Sequence, residues 1–372
     1  MKVMTLVGTR PEIIKLSCVI RELDSAVNHV LVHTGQNYDY ELNQIFFEGL
    51  GLRKPDRFLE AAGEGAIETV SNVIAKSDAA MAAEAPDAVL LLGDTNSCLA
   101  AIAAKRRKIP IFHMEAGNRC FDERVPEEVN RRIVDHISDI NMPYSEHARR
   151  YLLAEGIRPE TIIKTGSPMK EVLASQRDSI AASTSLEQLG LEPSKFFLAS
   201  MHREENVDDP QRLKQLLDAI DQLSTKHNKP VIISTHPRTR KRIEAGTSQY
   251  GGNLKFLKPF GFADYIKLQT QAYCVLSDSG TITEESSLLG FPAVMLRDTH
   301  ERPEGMDEGT LIMSGCHPDR IADAVKVLTD RQARGASRPR VVPDYDFDRV
   351  GAKVVNIIMS YTDFVNRTVW RK

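Results

Sequence analysis

The chain has 372 residues, 42% of them hydrophobic, which exceeds the needs of one typical domain and suffices for two cores. A formal net charge of −3 and a pI of about 6.4 supply no basic surface for nucleic acid or an anionic membrane. Five scattered cysteines without CxxC spacing argue against zinc and a disulfide framework, no apolar run nears the roughly 20 residues that span a bilayer, and no signal peptide precedes the first strand, so the expected location is the cytoplasm.

In the first half, short apolar runs predict strands at 2–7 (KVMTLV), 29–34 (HVLVHT), 88–93 (AVLLLG) and 109–114 (IPIFHM). In the second half they predict strands at 195–200, 229–234, 272–277 and 291–296. Near-continuous apolar runs of this length suit strands covered on both faces of a parallel sheet. Helical patterns lie between them, such as PQRLKQLLDAIDQLS (210–224) with Leu213, Leu216, Leu217 and Ile220 on one face. The alternation predicts an α/β fold with two doubly wound, Rossmann-like domains over 1–175 and 190–346. The polar stretch SQRDSIAASTSLEQLGLEPSK (175–195) is expected as the linker. A helical tail over 347–372 is expected to cross back to the first domain.

Ligands of such folds bind beyond the carboxyl ends of the strands. After the first run comes Gly8-Thr9-Arg10-Pro11-Glu12, with Thr9 and Glu12 at capping-box spacing and Arg10 and Lys15 placed to hold a phosphate. A plain helix cap with a surface arginine fits that stretch equally well. Asp94 follows the third run and Glu115 the fourth, where strand alternation puts Glu115 on the side of His113. Pro126 then opens a helix with Glu127 and Glu128 in its first turn, where acids also simply suit the helix dipole. The spacings Glu127–Arg131 and Glu128–Arg132 predict ordinary exposed ion pairs. In the second half, His202 and His236 follow two strands, Ser279-Gly280-Thr281 offers N–H groups and hydroxyls to a diphosphate, and Arg302 lies in a later basic loop. Glu285 falls within reach of a ribose if the ligand is a nucleotide. No P-loop, GxSxG or HExxH motif occurs, and no GxGxxG follows the first strand. Asp94, Glu115 and Glu127 suggest a magnesium site, but Arg10, Lys15, Arg119 and His202 are available to carry anionic charge and favour a metal-free diphosphate site.

The stretches VGTRPEIIKLS, LLGDTNSCLAA, FHMEAGNR, PEEVNRRIVDHISD, TGSP, SDSGTITEE and RDTHERPE resemble, in order and over nearly the whole chain, the non-hydrolysing UDP-N-acetylglucosamine 2-epimerase family. The resemblance implies a glycosyltransferase-B type fold, a UDP-sugar in an interdomain active-site cleft, no cofactor, no metal and a homodimer. It implies that Asp94, Glu115 and Glu127 are the acid/base and ring-stabilising carboxylates, with His202 near the diphosphate. It further implies that Arg10, Lys15, Ser279, Gly280, Thr281 and Arg302 hold UDP and Glu285 the ribose, with His236 a second-domain contributor. Tyr265 is a candidate to stack near uracil, in competition with Phe260 and Phe262. HTGQNYDYELNQIFF, EAGNRCFDERVPEE and VDHISDINMPY look closest to the branch that converts UDP-2-acetamido-2,6-dideoxy-L-talose to UDP-N-acetyl-L-fucosamine for capsule or O-antigen biosynthesis. Asn118 and Cys120-Phe121 depart from the main-branch pattern, and Thr281 stands where the family has a second glycine. The alternatives are a UDP-N-acetylglucosamine 2-epimerase that makes UDP-N-acetylmannosamine, and a non-catalytic UDP-sugar binding protein.

Overall fold

The apolar runs become the strands of two parallel sheets in a computed structural model that describes residues 1–36, 46–235, 239–240, 242–243, 250 and 252–372. The chain divides into two compact units, Met1–Ser175 with Asp344–Lys372, and Gln176–Pro343.

The first unit holds β1 (Lys2–Val7), β2 (Asn28–His33), β3 (Arg57–Phe58), β4 (Ala88–Leu92), β5 (Ile111–Met114) and β6 (Ile140–Met142), in the order β3-β2-β1-β4-β5-β6. The second holds β7 (Phe197–Ser200), β8 (Val231–Ser234), β9 (Leu254–Leu257), β10 (Cys274–Ser277), β11 (Ala293–Met295) and β12 (Ile312–Met313), in the order β12-β11-β10-β7-β8-β9. All pairings between these strands are parallel. Both orders are the doubly wound arrangement, in which the winding reverses beside the first strand of the unit. That reversal opens a crevice between β1 and β4 in the first unit and between β7 and β10 in the second. The α/β class with two Rossmann-like units is therefore the observed one.

The helices that position the candidate residues are α1 (Arg10–Ala26), α2 (Ala66–Glu84), α3 (Pro126–Ile137), α4 (Pro210–His227), α5 (Phe262–Gln271), α6 (Ile282–Leu289) and α7 (Val350–Val365). Local chemistry sets their ends. Asp209 caps α4 by accepting the N–H groups of Gln211 and Arg212 at 2.9 and 3.2 Å, and Asn228 stops it in the left-handed region. Leu213, Leu216, Leu217 and Ile220 of α4 are buried against Phe197, Ile233 and Leu276 of the second sheet.

The polar stretch expected as a linker is instead folded into the second unit. It forms the short helices Arg177–Ala182 and Ser185–Leu189, and Ser183 Oγ donates to Asp264 Oδ1 of α5 at 2.6 Å. Its few apolar positions, such as Leu186, pack in the unit's core beside Phe196 and Leu268. The returning C-terminal segment is pinned to the first unit by Asp344, which takes Lys164 Nζ at 2.7 Å and the Glu146 N–H at 3.0 Å. From there α7 packs on α1. Among the described residues no helix is long and apolar enough to cross a membrane.

Candidate active site

In the first unit the chain leaves β1 at Gly8 and enters α1 at Arg10. Thr9 stands at the N-cap, but its hydroxyl does not cap the backbone; it donates to Glu12 Oε2 at 2.8 Å. The buried Glu12 carboxyl also takes the Gly8 N–H at 3.0 Å, the Thr95 hydroxyl at 3.1 Å and the Ser97 hydroxyl at 3.4 Å. Half of the expected capping box forms, with Glu12 accepting the Thr9 N–H, and the same carboxyl also bridges the β1–α1 turn to the loop after β4.

Burial pushes the Glu12 pKa up to about 7, against the opposing hydrogen bonds. A carboxyl raised on folding stabilises the fold most in its protonated form. Its contribution is full below the ordinary value of 4.5 and is lost as pH rises through about 7. Thermal melts of the wild type and Glu12→Gln at about pH 5 and about pH 8 test this. The wild type is expected to lose roughly 2.5 kcal/mol relative to the variant over that interval. An equal pH dependence for the two proteins contradicts the assignment.

Arg10 is half-buried at the start of α1, its guanidinium 5.3 Å from the Phe46 ring centroid. Lys15, one turn further on, is buried, and its Nζ lies 2.5 Å from Glu115 Oε2. The cation assigned from sequence to a phosphate is thus paired with the candidate base.

Glu115 follows the last residue of β5 with a φ of 61°, in the left-handed region. A non-glycine residue there carries roughly 1–2 kcal/mol of backbone strain. The turn ends the strand alternation that relates Glu115 to His113. The His113 ring is tied instead to the Gly93 carbonyl at 2.7 Å and to Asp135 Oδ1 at 2.9 Å. Asn118 Nδ2 approaches the other Glu115 oxygen at 3.4 Å. Two residues on, Gly117 has a φ of 82°, and a Cβ there would sit 2.5 Å from the Ala148 carbonyl oxygen, so only glycine fits. Arg119 holds Asp135 at 2.7 Å and Glu155 at 2.8 and 2.6 Å, so it is a buried structural cation and not the anion carrier expected.

Helix α3 buries Val134 in the core but also four polar side chains, Glu128, Asn130, Arg131 and Asp135, whereas Val129 and Ile133 are exposed at 46% and 38%. The expected Glu128–Arg132 pair is present at 3.7 Å, but its Glu128 end is buried and not exposed as read from the sequence. Arg131 reaches Asp94 Oδ2 at 2.6 Å and Glu128 Oε2 at 2.9 Å. Glu128 accepts the N–H groups of Cys120 and Phe121 at 3.0 and 3.3 Å, fixing the loop that follows Glu115. These bonds and Arg131 hold its carboxyl below the usual range despite burial, which acts the other way. Charge goes inward here because each charge finds partners there, the condition under which burial of an ion is tolerated. Arg132 stays on the surface, and Glu127 is half-buried in the first turn.

In the second unit, Asp278 follows β10 and is fully buried. It accepts the His202 N–H at 3.1 Å, the Arg203 N–H at 3.0 Å and Asn206 Nδ2 at 3.0 Å, and His202 Nδ1 lies 3.1 Å from its Oδ1. Burial pushes the Asp278 pKa up, but His202 and these donors outweigh it and hold it below the ordinary value. One aspartate thus fixes the His202 loop against the Ser279-Gly280-Thr281 turn, where the two hydroxyls meet at 3.0 Å. A Cβ on Gly280 would meet Glu301 Oε1 and Arg302 Nη1 at 2.4 and 2.5 Å. Arg302 is itself buried between Glu284 Oε2 at 3.2 Å and Glu301 Oε1 at 3.1 Å. Glu285 takes Gln269 Nε2 at 2.6 Å. The Tyr265 hydroxyl bonds Ser200 and Ser277 at the strand ends, and its ring packs with Phe260 and Leu257 against the core. His236 lies outside the described residues.

The first unit thus gathers Arg10, Lys15, Asp94, Glu115 and the start of α3 around its crevice. The second gathers His202, Ser279, Gly280, Thr281, Arg302, Glu285 and Tyr265 around its own. The profile of a family described as UDP-N-acetylglucosamine 2-epimerase matches residues 21–359. The chain belongs to this epimerase family. Its members are isomerases. A solved structure titled UDP-N-acetylglucosamine 2-epimerase from Rickettsia bellii is 54% identical, superposes with a TM-score of 0.93 and covers 100% of both chains. A Methanocaldococcus jannaschii UDP-GlcNAc 2-epimerase, solved in complex with UDP-GlcNAc and UDP, is 32% identical with a TM-score of 0.89, covering 97% of this chain and 100% of its own. The Pseudomonas aeruginosa UDP-2,3-diacetamido-2,3-dideoxy-D-glucuronate 2-epimerase is 34% identical over 332 residues, 88% of this chain and 92% of its own.

Sequence reasoning missed Glu12, Asp135, Asp278 and Glu301 as organisers of the 2-epimerase framework. For Asp135 a signal existed. Glu128, Arg131 and Asp135 recur at helical spacing, so one face of α3 carries only ionisable groups while Val129 and Ile133 fall on another.

Proposed function

We propose that the chain inverts C2 of a UDP-linked 2-acetamido sugar by eliminating and re-adding UDP. In the forward half, the C2–H bond breaks and its proton passes to a carboxylate. That electron pair forms the C1–C2 double bond of a glycal as the C1–O bond breaks and UDP leaves with its electrons. UDP then adds back at C1 while a proton is delivered to the opposite face of C2. Two faces of one carbon call for two proton-bearing groups, and the reading assigns them among Asp94, Glu115 and Glu127. The observation that carries it is Glu115: a strained, buried carboxylate at a strand end, with one oxygen on the Lys15 ammonium. Strain and desolvation at a strand terminus are features of functional positions, not of ordinary surface acids.

Arg10, His202, Ser279, Gly280, Thr281 and Arg302 are assigned to the diphosphate, Glu285 to the ribose, Tyr265 to uracil and His236 as a further contributor. Lys15 is assigned to hold Glu115. The finer reading takes UDP-2-acetamido-2,6-dideoxy-L-talose as substrate and UDP-N-acetyl-L-fucosamine as product, on the motifs around Glu115 and α3. A second reading takes UDP-N-acetylglucosamine, and the names of the Rickettsia and Methanocaldococcus relatives favour it. Purified protein offered each sugar separately, with product followed by proton NMR, separates them. Turnover of the L-sugar alone supports the finer reading, and turnover of the glucosamine alone supports the second. UDP binding without turnover of either sinks the epimerase proposal and leaves a UDP-sugar binding protein.

A further inference from the structure

We propose that His113 is held as an imidazolium cation beneath the first unit's crevice, and is the positioning residue that sets Asp94 and Glu115 for proton transfer. The second half of that statement rests on the epimerase reading; the first half rests on geometry alone. Both ring nitrogens face acceptors. Nε2 lies 2.7 Å from the Gly93 carbonyl oxygen, which can only accept, so Nε2 carries a proton. Nδ1 lies 2.9 Å from Asp135 Oδ1, off the line of a good hydrogen bond, so the contact is first an ionic one. Asp135 is ionised, because it accepts the Gly117 N–H at 3.1 Å and Arg119 Nη1 at 2.7 Å. A neutral ring with its proton on Nε2 would leave an unprotonated Nδ1 2.9 Å from that carboxylate oxygen, a repulsive contact. The second proton removes the clash and makes the ring a cation.

The electrostatics agree with this. Burial opposes charging of His113, but Asp135, the Gly93 carbonyl and the Asp94 carboxylate together carry its pKa above the ordinary value. The charged groups around the pair are Asp135 and Asp94, with Arg119 on the far side of Asp135 and Glu155 beyond it.

Two consequences follow for the candidate carboxylates. The pair spans two strand ends. Gly93 immediately precedes Asp94, and Gly117 lies two residues after Glu115, so one His–Asp unit fixes both loops. The pair also places a buried positive charge beside Asp94. Loss of such a charge is expected to move the acid limb of the rate profile to higher pH.

The test has two arms. In the first, protein labelled with ¹⁵N-histidine is observed at about pH 7.5, where an ordinary imidazole is neutral. The His113 signals are identified by their loss in His113→Gln or, if that variant does not fold, by their perturbation in Asp135→Asn. Imidazolium shifts at both nitrogens are expected, and a neutral tautomer overturns the proposal. In the second, C2 exchange is followed against pH in His113→Gln and Asp135→Asn, with circular dichroism and UDP binding as controls. Folded variants with near-normal UDP affinity and an acid limb raised by roughly one pH unit are expected. A lower rate with an unmoved acid limb marks a merely structural role and overturns the positioning claim. If the wild type exchanges C2 on neither sugar, the epimerase reading fails and takes the positioning claim with it, while the first arm still decides the charge on His113.

Discussion

Replacing Glu115 by Gln is expected to lower turnover about 10²–10⁴-fold, the range for loss of a general acid or base. The change keeps the size of the side chain and leaves an oxygen for the Lys15 ammonium, now 2.5 Å from Glu115 Oε2. The backbone at φ 61° is held by its surroundings, with Gly117 tied to Asp135 and the following loop tied to Glu128. The variant is therefore expected to fold with the same geometry and to bind UDP as before, since UDP is assigned mainly to the second unit. Steady-state kinetics gives the loss in kcat, and calorimetry gives the affinity for UDP. Near-normal turnover would remove Glu115 from the mechanism, and a matching loss of UDP affinity would make it a binding residue.

The second large effect is expected at Arg302. Its guanidinium sits between Glu284 and Glu301, all three buried, with Gly280 packed against it. Removing one member of a buried ionic cluster leaves the others short of a partner, at about 3–5 kcal/mol. Arg302→Met is expected to lose stability of that order in a denaturant titration and to lose UDP affinity with it. Glu301 keeps Arg297 at 2.8 Å and Arg203 at 3.3 Å. Arg302→Lys retains the charge without the forked reach, so it is expected to fold better than the methionine variant while still binding UDP weakly. Wild-type stability and affinity in Arg302→Met would contradict both roles.

The central strands were legible because they are covered on both faces and so read as unbroken apolar runs; β1 matches the run at 2–7 residue for residue. The edge strands β3, β6, β9 and β12 were not, because they are two to four residues long and carry polar positions such as Arg57, Asn141 and Lys255. The candidate residues at strand ends were legible for the same reason the strands were, since a doubly wound sheet fixes where its ligands go. Pairing was not. Nothing in the order of residues says that Lys15 meets Glu115 across 100 positions, or that Arg131 reaches Asp94. The assumption that charge marks the solvent side failed at α3, where Asp94, His113, Arg119 and the loop at Cys120 supply partners for buried charges beside the apolar Val134. Glu12 was read only in part, for a related reason. Its capping-box spacing is real, but Thr95 and Ser97 come from a loop some 80 positions away and also claim the carboxyl.

The most direct measurement is turnover of each UDP-sugar in D₂O, with both the epimer and the recovered starting sugar examined at C2 by proton NMR. Elimination through a glycal predicts deuterium at C2 of the product, with label appearing in the recovered sugar as the reaction reverses. A product that keeps its original hydrogen at C2 would contradict the mechanism, and the absence of any epimer from either sugar would contradict the proposed activity.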